Sequence, residues 1–297
     1  MKILVTGSTG FIGRALVAEL TTHGYEVVPL SRTQNGFEKA NYVKQVEQIE
    51  SAHAVVHLAG VAHRHGVDQS EYDLINYQLT KNLAKLAADK GFKHFLNLST
   101  AKVHGEETTI PISSHSDFNP QDHYSDSKAR AEKYLSDLNS QTQFTSIRPP
   151  VVYGKNPKAN ILKLINSIEH NKPIPLPIKQ NSRSFVSLKN ITNAICAVLE
   201  SELPGYNGFL VDDRKPVSTE QFIMHIAKNL GRKPKIIRMP NALLQFADKT
   251  LDKAISRSPL SPLYKNFVIE CDELEKQLNW SSVDDYKSGI DQMLSDL

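Results

Sequence analysis

The sequence predicts an α/β fold in which a doubly wound parallel sheet is joined to a smaller, mixed C-terminal region. Apolar, strand-like runs alternate with helical patterns through the first half of the chain. A glycine-rich turn directly follows the first of these runs. Beyond residue 154 the alternation ends, and a proline-punctuated segment and separate helical patterns take its place.

Strands of the predicted sheet are short apolar runs, and helical patterns separate them. The runs are residues 2–6, 26–30, 54–58, 94–99 and 144–148. Ile12, Leu16 and Leu20 recur at helical spacing after the first run, and Gly24 is placed to end that helix. Residues 74–90, which stop before Gly91, and residues 122–138 are predicted as two further helices.

The C-terminal part has a different pattern. Residues 172–177 contain three prolines and are predicted as a loop, and residues 183–187 as a strand. Ser218 and Gln221 have the spacing of a capping box, which predicts a helix ending near Gly231. Short helices are predicted at 243–255 and 284–297. We assign residues 1–155 and roughly 184–212 to the sheet domain, and 156–183 and 213–297 to a substrate-binding region.

Composition excludes several classes of function. The chain has 297 residues, of which 40% are hydrophobic and 23% charged, as in ordinary globular proteins. A net charge of +3 without runs of like charge argues against binding to nucleic acid or to an anionic membrane. Cys196 and Cys271 lie far apart, so no disulfide framework is expected. With no signal peptide or membrane-spanning stretch in the sequence, we expect a soluble, cytoplasmic protein.

The glycine-rich turn has the pattern Gly7-x-x-Gly10-x-x-Gly13, between the first predicted strand and helix. Missing side chains let backbone amides approach a pyrophosphate, and the helix N-terminus favours its negative charge. The turn, with Phe11 and Ile12 in it, therefore predicts a Rossmann-type dinucleotide site.

Cofactor choice depends on Ser31 and Arg32, which follow the second predicted strand. An acidic residue there would select NAD by binding the ribose hydroxyls. Because an arginine suits a 2′-phosphate, the sequence favours NADP over NAD. If Arg32 is only a solvated loop residue, NAD stays open.

Tyr124 and Lys128 are four residues apart, so they share one helix face. Free tyrosine, with a pKa of about 10, is a poor base at neutral pH. We expect the Lys128 ammonium and a nicotinamide ring to lower the pKa of Tyr124, and Lys128 to hold the nicotinamide ribose. Thr100, at a predicted strand end, is the expected hydroxyl partner, with Ser99 as the alternative. Together they predict hydride transfer between nicotinamide and a carbinol carbon.

Histidines in predicted loops raise the question of a metal site. They are His63, His65, His104 and His123. No carboxylate or cysteine completes a ligand set at a suitable spacing, so no metal is predicted.

These motifs resemble those of the extended short-chain dehydrogenase/reductases, in the NAD-dependent epimerase/dehydratase group that acts on nucleotide sugars. The resemblance also covers residues 183–187 and 272–280. It implies that Tyr124, Lys128 and Thr100 are catalytic. It implies further cofactor contacts from Leu58, Ala59, Gly60, Asn76 and the segment Pro149-Pro150-Val151.

The same resemblance implies which residues contact the substrate. Arg183 would contact its diphosphate, which suits the bidentate geometry of a guanidinium, and Asn160 would lie near the same group. Thr100 and Lys102 would contact the sugar.

Departures from the family pattern narrow the reaction. The 4,6-dehydratases carry an Asp-Glu pair after the catalytic threonine, where this chain has Ala101 and Lys102, so dehydration is not expected. UDP-galactose 4-epimerases usually carry an acidic residue at the position of Ser31 and an asparagine at that of Val151. These two differences weaken an assignment to UDP-galactose 4-epimerisation.

The resemblance is nearer to a branch of bacterial surface-polysaccharide synthesis, and implies an enzyme acting at C4 of a UDP-linked (N-acetyl)hexose. Arg32 suggests exchangeable NADP(H) and so favours 4-keto reduction. A 4-epimerase would use the same half-reaction. A non-catalytic NAD(P)-binding sensor or assembly protein is the alternative from another class. The family also implies a homodimer formed through residues 74–90 and 122–138.

Overall fold

The computed structural model describes residues 1–30, 39–62, 67–254 and 261–295. The strands are β1 (Lys2–Thr6), β2 (Glu26–Leu30), β3 (Ala54–His57), β4 (His94–Leu98), β5 (Gln143–Arg148), β6 (Val151–Tyr153), β7 (Ile174–Pro177), β8 (Phe185–Ser187), β9 (Tyr206–Leu210) and β10 (Ile236–Met239). The α-helices are α1 (Phe11–Thr22), α2 (Lys39–Glu47), α3 (Gln69–Tyr72), α4 (Leu79–Asp89), α5 (His123–Ser136), α6 (Ala159–Glu169), α7 (Leu188–Leu199), α8 (Thr219–Asn229), α9 (Asn241–Ala254), α10 (Ser261–Tyr264), α11 (Asp272–Leu278) and α12 (Tyr286–Leu294). A π-helix (Asp73–Gln78) and a 3-10 helix (Ala101–His104) complete the set.

A six-stranded sheet in the order β2-β1-β3-β4-β5-β9 forms the centre of the fold. All of its strand pairs are parallel, and Leu4 of β1 lies opposite Val28 of β2 and Val55 of β3. The predicted Rossmann-type, doubly wound parallel sheet is therefore confirmed. The first five strands match the predicted runs to within one residue at each end.

Alternate residues of β1 supply two cores, one on each face of the sheet. Ile3 and Val5 pack with Leu16 of α1 and Ile195 of α7. Leu4, on the other face, packs in a second core. That core also holds Val55, Leu83, Phe95, Leu135 and Phe144. Because helices cover both faces, the edge at the carboxyl ends of the strands is where a ligand site can open.

The prediction of a loop at residues 172–177 is wrong, because β7 pairs in parallel with β10 there. Proline lacks an N–H, but Pro175 and Pro177 occupy alternate positions of this strand. The amides on either side still donate, from Ile174 to the Lys235 carbonyl at 2.8 Å and from Ile178 to the Met239 carbonyl at 3.1 Å. A two-stranded sheet can therefore form around the prolines.

Other C-terminal elements are close to their predictions. The capping box at Ser218 is present and begins α8, with the Ser218 hydroxyl accepting from the amide of Gln221 at 3.1 Å. Helices α9 and α12 occupy the predicted 243–255 and 284–297 segments, whose residues 255, 296 and 297 lie outside the described part. In the described ranges, no helix is long and apolar enough to cross a membrane.

Candidate active site

The glycine turn between β1 and α1 is shaped by close backbone contacts. Gly7 has a φ of 69°, and a Cβ on it would lie 2.7 Å from the amide nitrogen of Ala59. A Cβ on Gly13 would lie 2.8 Å from the Cα of Ser8. Helix α1 begins after Gly10 without a hydrogen bond from any capping side chain. This unblocked, positive helix end fits the pyrophosphate of a dinucleotide, as the sequence predicts for Phe11 and Ile12 in its first turn.

The segment after β3 reaches the same edge of the sheet. The amide of Ala59, next to Leu58, donates to the Thr6 hydroxyl at 3.1 Å, which fixes this segment beside the glycine turn. A Cβ on Gly60 would lie 3.1 Å from Oδ1 of Asn76 and 3.4 Å from Nζ of Lys128. Gly60 therefore lets three predicted cofactor residues come together.

Asn76 lies fully buried in the π-helix. Its Oδ1 accepts from the Val61 amide at 2.8 Å, and its Nδ2 donates to the Val61 carbonyl and the Ser127 hydroxyl, both at 3.1 Å. Thr80 donates to the Asn76 carbonyl at 2.7 Å. Asn76 thus joins the segment after β3 to α5. The prediction of one helix at 74–90 missed this wide turn, which is common at functional sites.

Ser31 and Arg32, the residues predicted to choose between NAD and NADP, lie outside the described residues, directly after β2. His63 and His65 also lie outside them. His104 contacts the carbonyl of Asp117 through Nδ1 at 3.1 Å. In the part of the chain that the structure describes, no three metal-binding side chains come together.

Thr100 and Tyr124 meet where β4 ends and α5 begins. Asp122 caps α5 by accepting from the Ser125 amide at 2.6 Å, which places Tyr124 in the first helical turn. The side chains of Tyr124 and Thr100 are hydrogen-bonded to each other. Ser99 is not equivalent, because its hydroxyl donates to the buried carboxylate of Glu132.

Lys128 lies one helical turn after Tyr124 and is buried. Its Nζ donates to the Leu98 carbonyl at the end of β4, at 2.7 Å. Burial lowers the pKa of Lys128 to about 8, and the charge of Glu132 opposes that change. The ammonium is therefore directed to the carboxyl end of the sheet.

The expectation that Lys128 lowers the pKa of Tyr124 is wrong for the protein alone. Burial raises the pKa of Tyr124 to about 12, and Asp122 and Tyr72 add to the rise. The hydrogen bond with Thr100 lowers it only in part. Desolvation disfavours the phenolate more than the polypeptide stabilises it, so the phenol is protonated at neutral pH.

A cavity of about 260 Å³ opens at this edge. Its lining includes the predicted residues Thr100, Lys102, Tyr124, Pro150, Val151, Asn160 and Arg183. Residues from both the sheet domain and the C-terminal region therefore face one space. The structure brings all four predicted substrate residues together there.

Arg183 places a buried cation in the cavity wall. The residue is 7% exposed, and its Nη1 donates to the Lys265 carbonyl at 3.0 Å. Its Nε is buried without a hydrogen-bond partner among the described residues. Burial lowers the pKa of Arg183 to about 10, while the negative charge of Glu106 acts in the opposite direction. An anionic ligand in the cavity would pair with the charge of this guanidinium.

Lys102, which also lines the cavity, is held by two carboxylates. Its Nζ lies 2.5 Å from Oε1 of Glu106 and 3.1 Å from Oδ2 of Asp122. Sequence reasoning missed both partners, although Asp122 and Ser125 have the spacing of a helix cap. Together these groups place one cation and two anions beside Thr100.

A family model described as the NAD dependent epimerase/dehydratase family matches residues 3–208. The chain belongs to this family. An epimerase/dehydratase relative, the UDP-glucose 4-epimerase of Vibrio cholerae, is 30% identical over 98% of this chain and 94% of its own length.

A reductase is also among the proteins that this chain resembles. The UDP-2-acetamido-2,6-beta-L-arabino-hexul-4-ose reductase of Pseudomonas aeruginosa is 27% identical over 73% of this chain and 55% of its own. The structure of RMD from Pseudomonas aeruginosa, complexed with NADPH, superposes with a TM-score of 0.80 at 20% identity. It covers 100% of this chain and 99% of that one, which supports the fold.

Proposed function

We propose that this protein is an NAD(P)-dependent oxidoreductase that acts at C4 of a UDP-linked (N-acetyl)hexose, with 4-keto reduction favoured. The observation that carries the proposal is the cavity where the Thr100–Tyr124 pair faces the buried Arg183. Such a reaction needs two parts. One is a pair of hydroxyls that moves a proton, and the other is a cation that binds a diphosphate.

The residues around the glycine turn would hold the dinucleotide. Amides at the start of α1 would bind its pyrophosphate, and Lys128 the nicotinamide ribose. The chemistry that a bound nicotinamide supplies is hydride exchange with the substrate carbon. Tyr124 would donate a proton to the 4-oxygen, with Thr100 bonded to the same oxygen. Because the pKa of Tyr124 is about 12, its phenol is in the acid form that reduction requires.

Arg183 would bind the substrate diphosphate through its guanidinium, with Asn160 in the same cavity wall. Lys102, held by Glu106, would contact the sugar. Since Ala101 and Lys102 provide no carboxylic acid next to Thr100, the site lacks the acid and base that water elimination uses.

A 4-epimerase is the second candidate, supported by the 30% identity with the Vibrio cholerae enzyme. It would run the same half-reaction in both directions on a retained cofactor. A non-catalytic sensor is disfavoured, because the hydrogen-bonded Thr100–Tyr124 pair would have no use in it. We also propose a homodimer through residues 74–90 and 122–138, where Leu74 is 40% exposed.

Nucleotide released from the denatured, purified protein tests these alternatives. For a reductase we expect little bound nucleotide and NADPH-dependent reduction of UDP-4-keto sugars. Tightly held NAD, with interconversion of UDP-glucose and UDP-galactose in the absence of added cofactor, would establish the epimerase instead. Absence of turnover in both assays would refute the proposal.

Arg32→Ser is expected to lower the preference for NADPH over NADH by about tenfold or more, because a charged hydrogen bond is worth about 1.5–3 kcal/mol. The measurement is kcat/KM with each cofactor. Lys44→Ser is the matched control, since it removes one positive charge from exposed α2. If Arg32→Ser leaves the preference for NADPH over NADH unchanged, Arg32 does not bind the 2′-phosphate and is a solvent-exposed loop residue.

A further inference from the structure

A buried ion pair lies behind the Thr100–Tyr124 pair. Glu132 is on α5, one turn beyond Lys128, and Arg148 ends β5. Their side chains are 0% and 4% exposed. Removing two charges from water is costly, and an apolar pair of similar volume is often as stable. The stability of the fold alone therefore does not explain why this buried position has a Glu132–Arg148 ion pair.

The Glu132 carboxylate joins four elements of the fold. It accepts from Nε and Nη2 of Arg148, both at 2.8 Å. It also accepts from the hydroxyl of Ser99 after β4 and from the hydroxyl of Tyr206 on β9. One carboxylate thus joins the carboxyl ends of β4 and β5 and the first residue of β9 to the helix that carries Tyr124.

Ser99 directly precedes Thr100, and it is fixed by more than its side chain. Its amide donates to the Ile147 carbonyl at 2.8 Å, and that of Ala101 donates to the Pro149 carbonyl at 2.9 Å. These bonds hold the backbone on both sides of Thr100 along β5. The bond from Ser99 to Glu132 links this backbone to α5, in addition to the bond from Lys128 to the Leu98 carbonyl.

Glu132 also acts on Lys128 through its charge. It is the acidic group whose field raises the pKa of Lys128, against the lowering that burial causes. His57 of β3 also faces Lys128, but burial and the lysine charge lower the pKa of His57 to about 3, so it is neutral. Arg148 and Tyr206 surround the carboxylate, and His104 lies 3.4 Å from Nη1 of Arg148.

We propose that Glu132 is a positioning residue, which holds Thr100 against α5 through Ser99 and places a negative charge one helical turn from Lys128. This inference rests on the proposed function of Thr100, Tyr124 and Lys128. Glu132 itself contacts neither substrate nor cofactor in this scheme.

A matched pair of variants separates positioning from stability. Ser99→Ala and Tyr206→Phe each remove one hydroxyl from the same carboxylate, but only Ser99 is joined to Thr100. We expect Ser99→Ala to lower kcat about tenfold or more, since small displacements of reacting groups are costly, with KM and dinucleotide affinity retained. Tyr206→Phe should keep the wild-type kcat. Equal kcat values for the two variants, at comparable melting temperatures, would overturn the positioning role.

Glu132→Gln tests whether the negative charge of Glu132 acts on Lys128. Losing the carboxylate should lower the pKa of Lys128, so the fall in kcat at high pH should begin at a lower pH than in the wild type. The titration of the lysine ε-carbon, followed by NMR and assigned with Lys128→Arg, reads the same shift without substrate. An unchanged Lys128 titration would refute the charge role.

The outcome of the NMR titration is independent of the proposed reaction. A wild-type protein without turnover would refute the reaction, while the NMR titration still decides the role of Glu132. If Glu132→Gln does not fold, the Ser99 and Tyr206 variants, which keep the ion pair, decide the positioning role.

Discussion

Tyr124→Phe is expected to lower turnover by about 10²–10⁴-fold, the range for removal of a general acid or base, while dinucleotide binding is retained. The change removes only the phenol oxygen, which is hydrogen-bonded to Thr100. The capped first turn of α5 does not depend on that oxygen. Steady-state kinetics and a dinucleotide titration measure the two effects.

Tyr134→Phe is the matched control for this variant. It makes the same substitution on the same helix, where Lys81 lies over the Tyr134 ring at 5.0 Å. Tyr134 does not line the cavity, so turnover should stay at the wild-type level. Near-normal turnover in Tyr124→Phe would show that the phenol carries no proton in the reaction.

The same phenol predicts opposite pH profiles for the two directions of reaction. Because burial raises the pKa of Tyr124 to about 12, the acid form predominates at neutral pH, and reduction should not need alkaline conditions. Oxidation needs the phenolate, whose fraction increases with pH, so that direction should become faster as pH rises, until Lys128, whose pKa burial lowers to about 8, loses its proton. Initial rates of both directions, measured across pH 6 to about 9, test the sign of each profile.

Local information explains what the sequence could predict. The glycine spacing of the turn lies within seven residues, and Tyr124 and Lys128 share a helix face by their separation alone. The strands are apolar because both faces of the sheet are covered. Each of these features is determined by the residues of one short segment, so the sequence of that segment is enough to predict it.

Features that depend on distant partners could not be predicted. The π-helix at Asn76 is accompanied by hydrogen bonds to residues 61 and 127, and the strand β7 needs β10 as its partner. The pKa of Tyr124 depends on burial among elements far along the chain. This burial raises the pKa, whereas the helical spacing from Lys128 alone led us to expect a lower value. Asp122 is a partner of Lys102 from 20 residues along the chain, which no local pattern indicates.

Arg183→Met is expected to raise KM for a UDP-sugar by about 10²-fold, since each charge-assisted hydrogen bond is worth about 1.5–3 kcal/mol. The reason is the buried guanidinium of Arg183, whose Nε lacks a partner among the described residues and which lines a cavity together with Asn160. KM for the dinucleotide should not change, because the glycine turn is a separate part of the site.

Binding of UDP alone provides a readout that needs no turnover. UDP should raise the melting temperature of the wild-type protein, and this rise should be lost in Arg183→Met, because ligand stabilisation follows affinity. Arg214→Met is the matched control, since its guanidinium is 44% exposed and pairs with Glu275 at 2.5 Å. Without ligand, Arg183→Met should melt no lower than the wild type, because it removes a cation whose burial is only partly compensated. An undiminished response to UDP in Arg183→Met would place the diphosphate elsewhere.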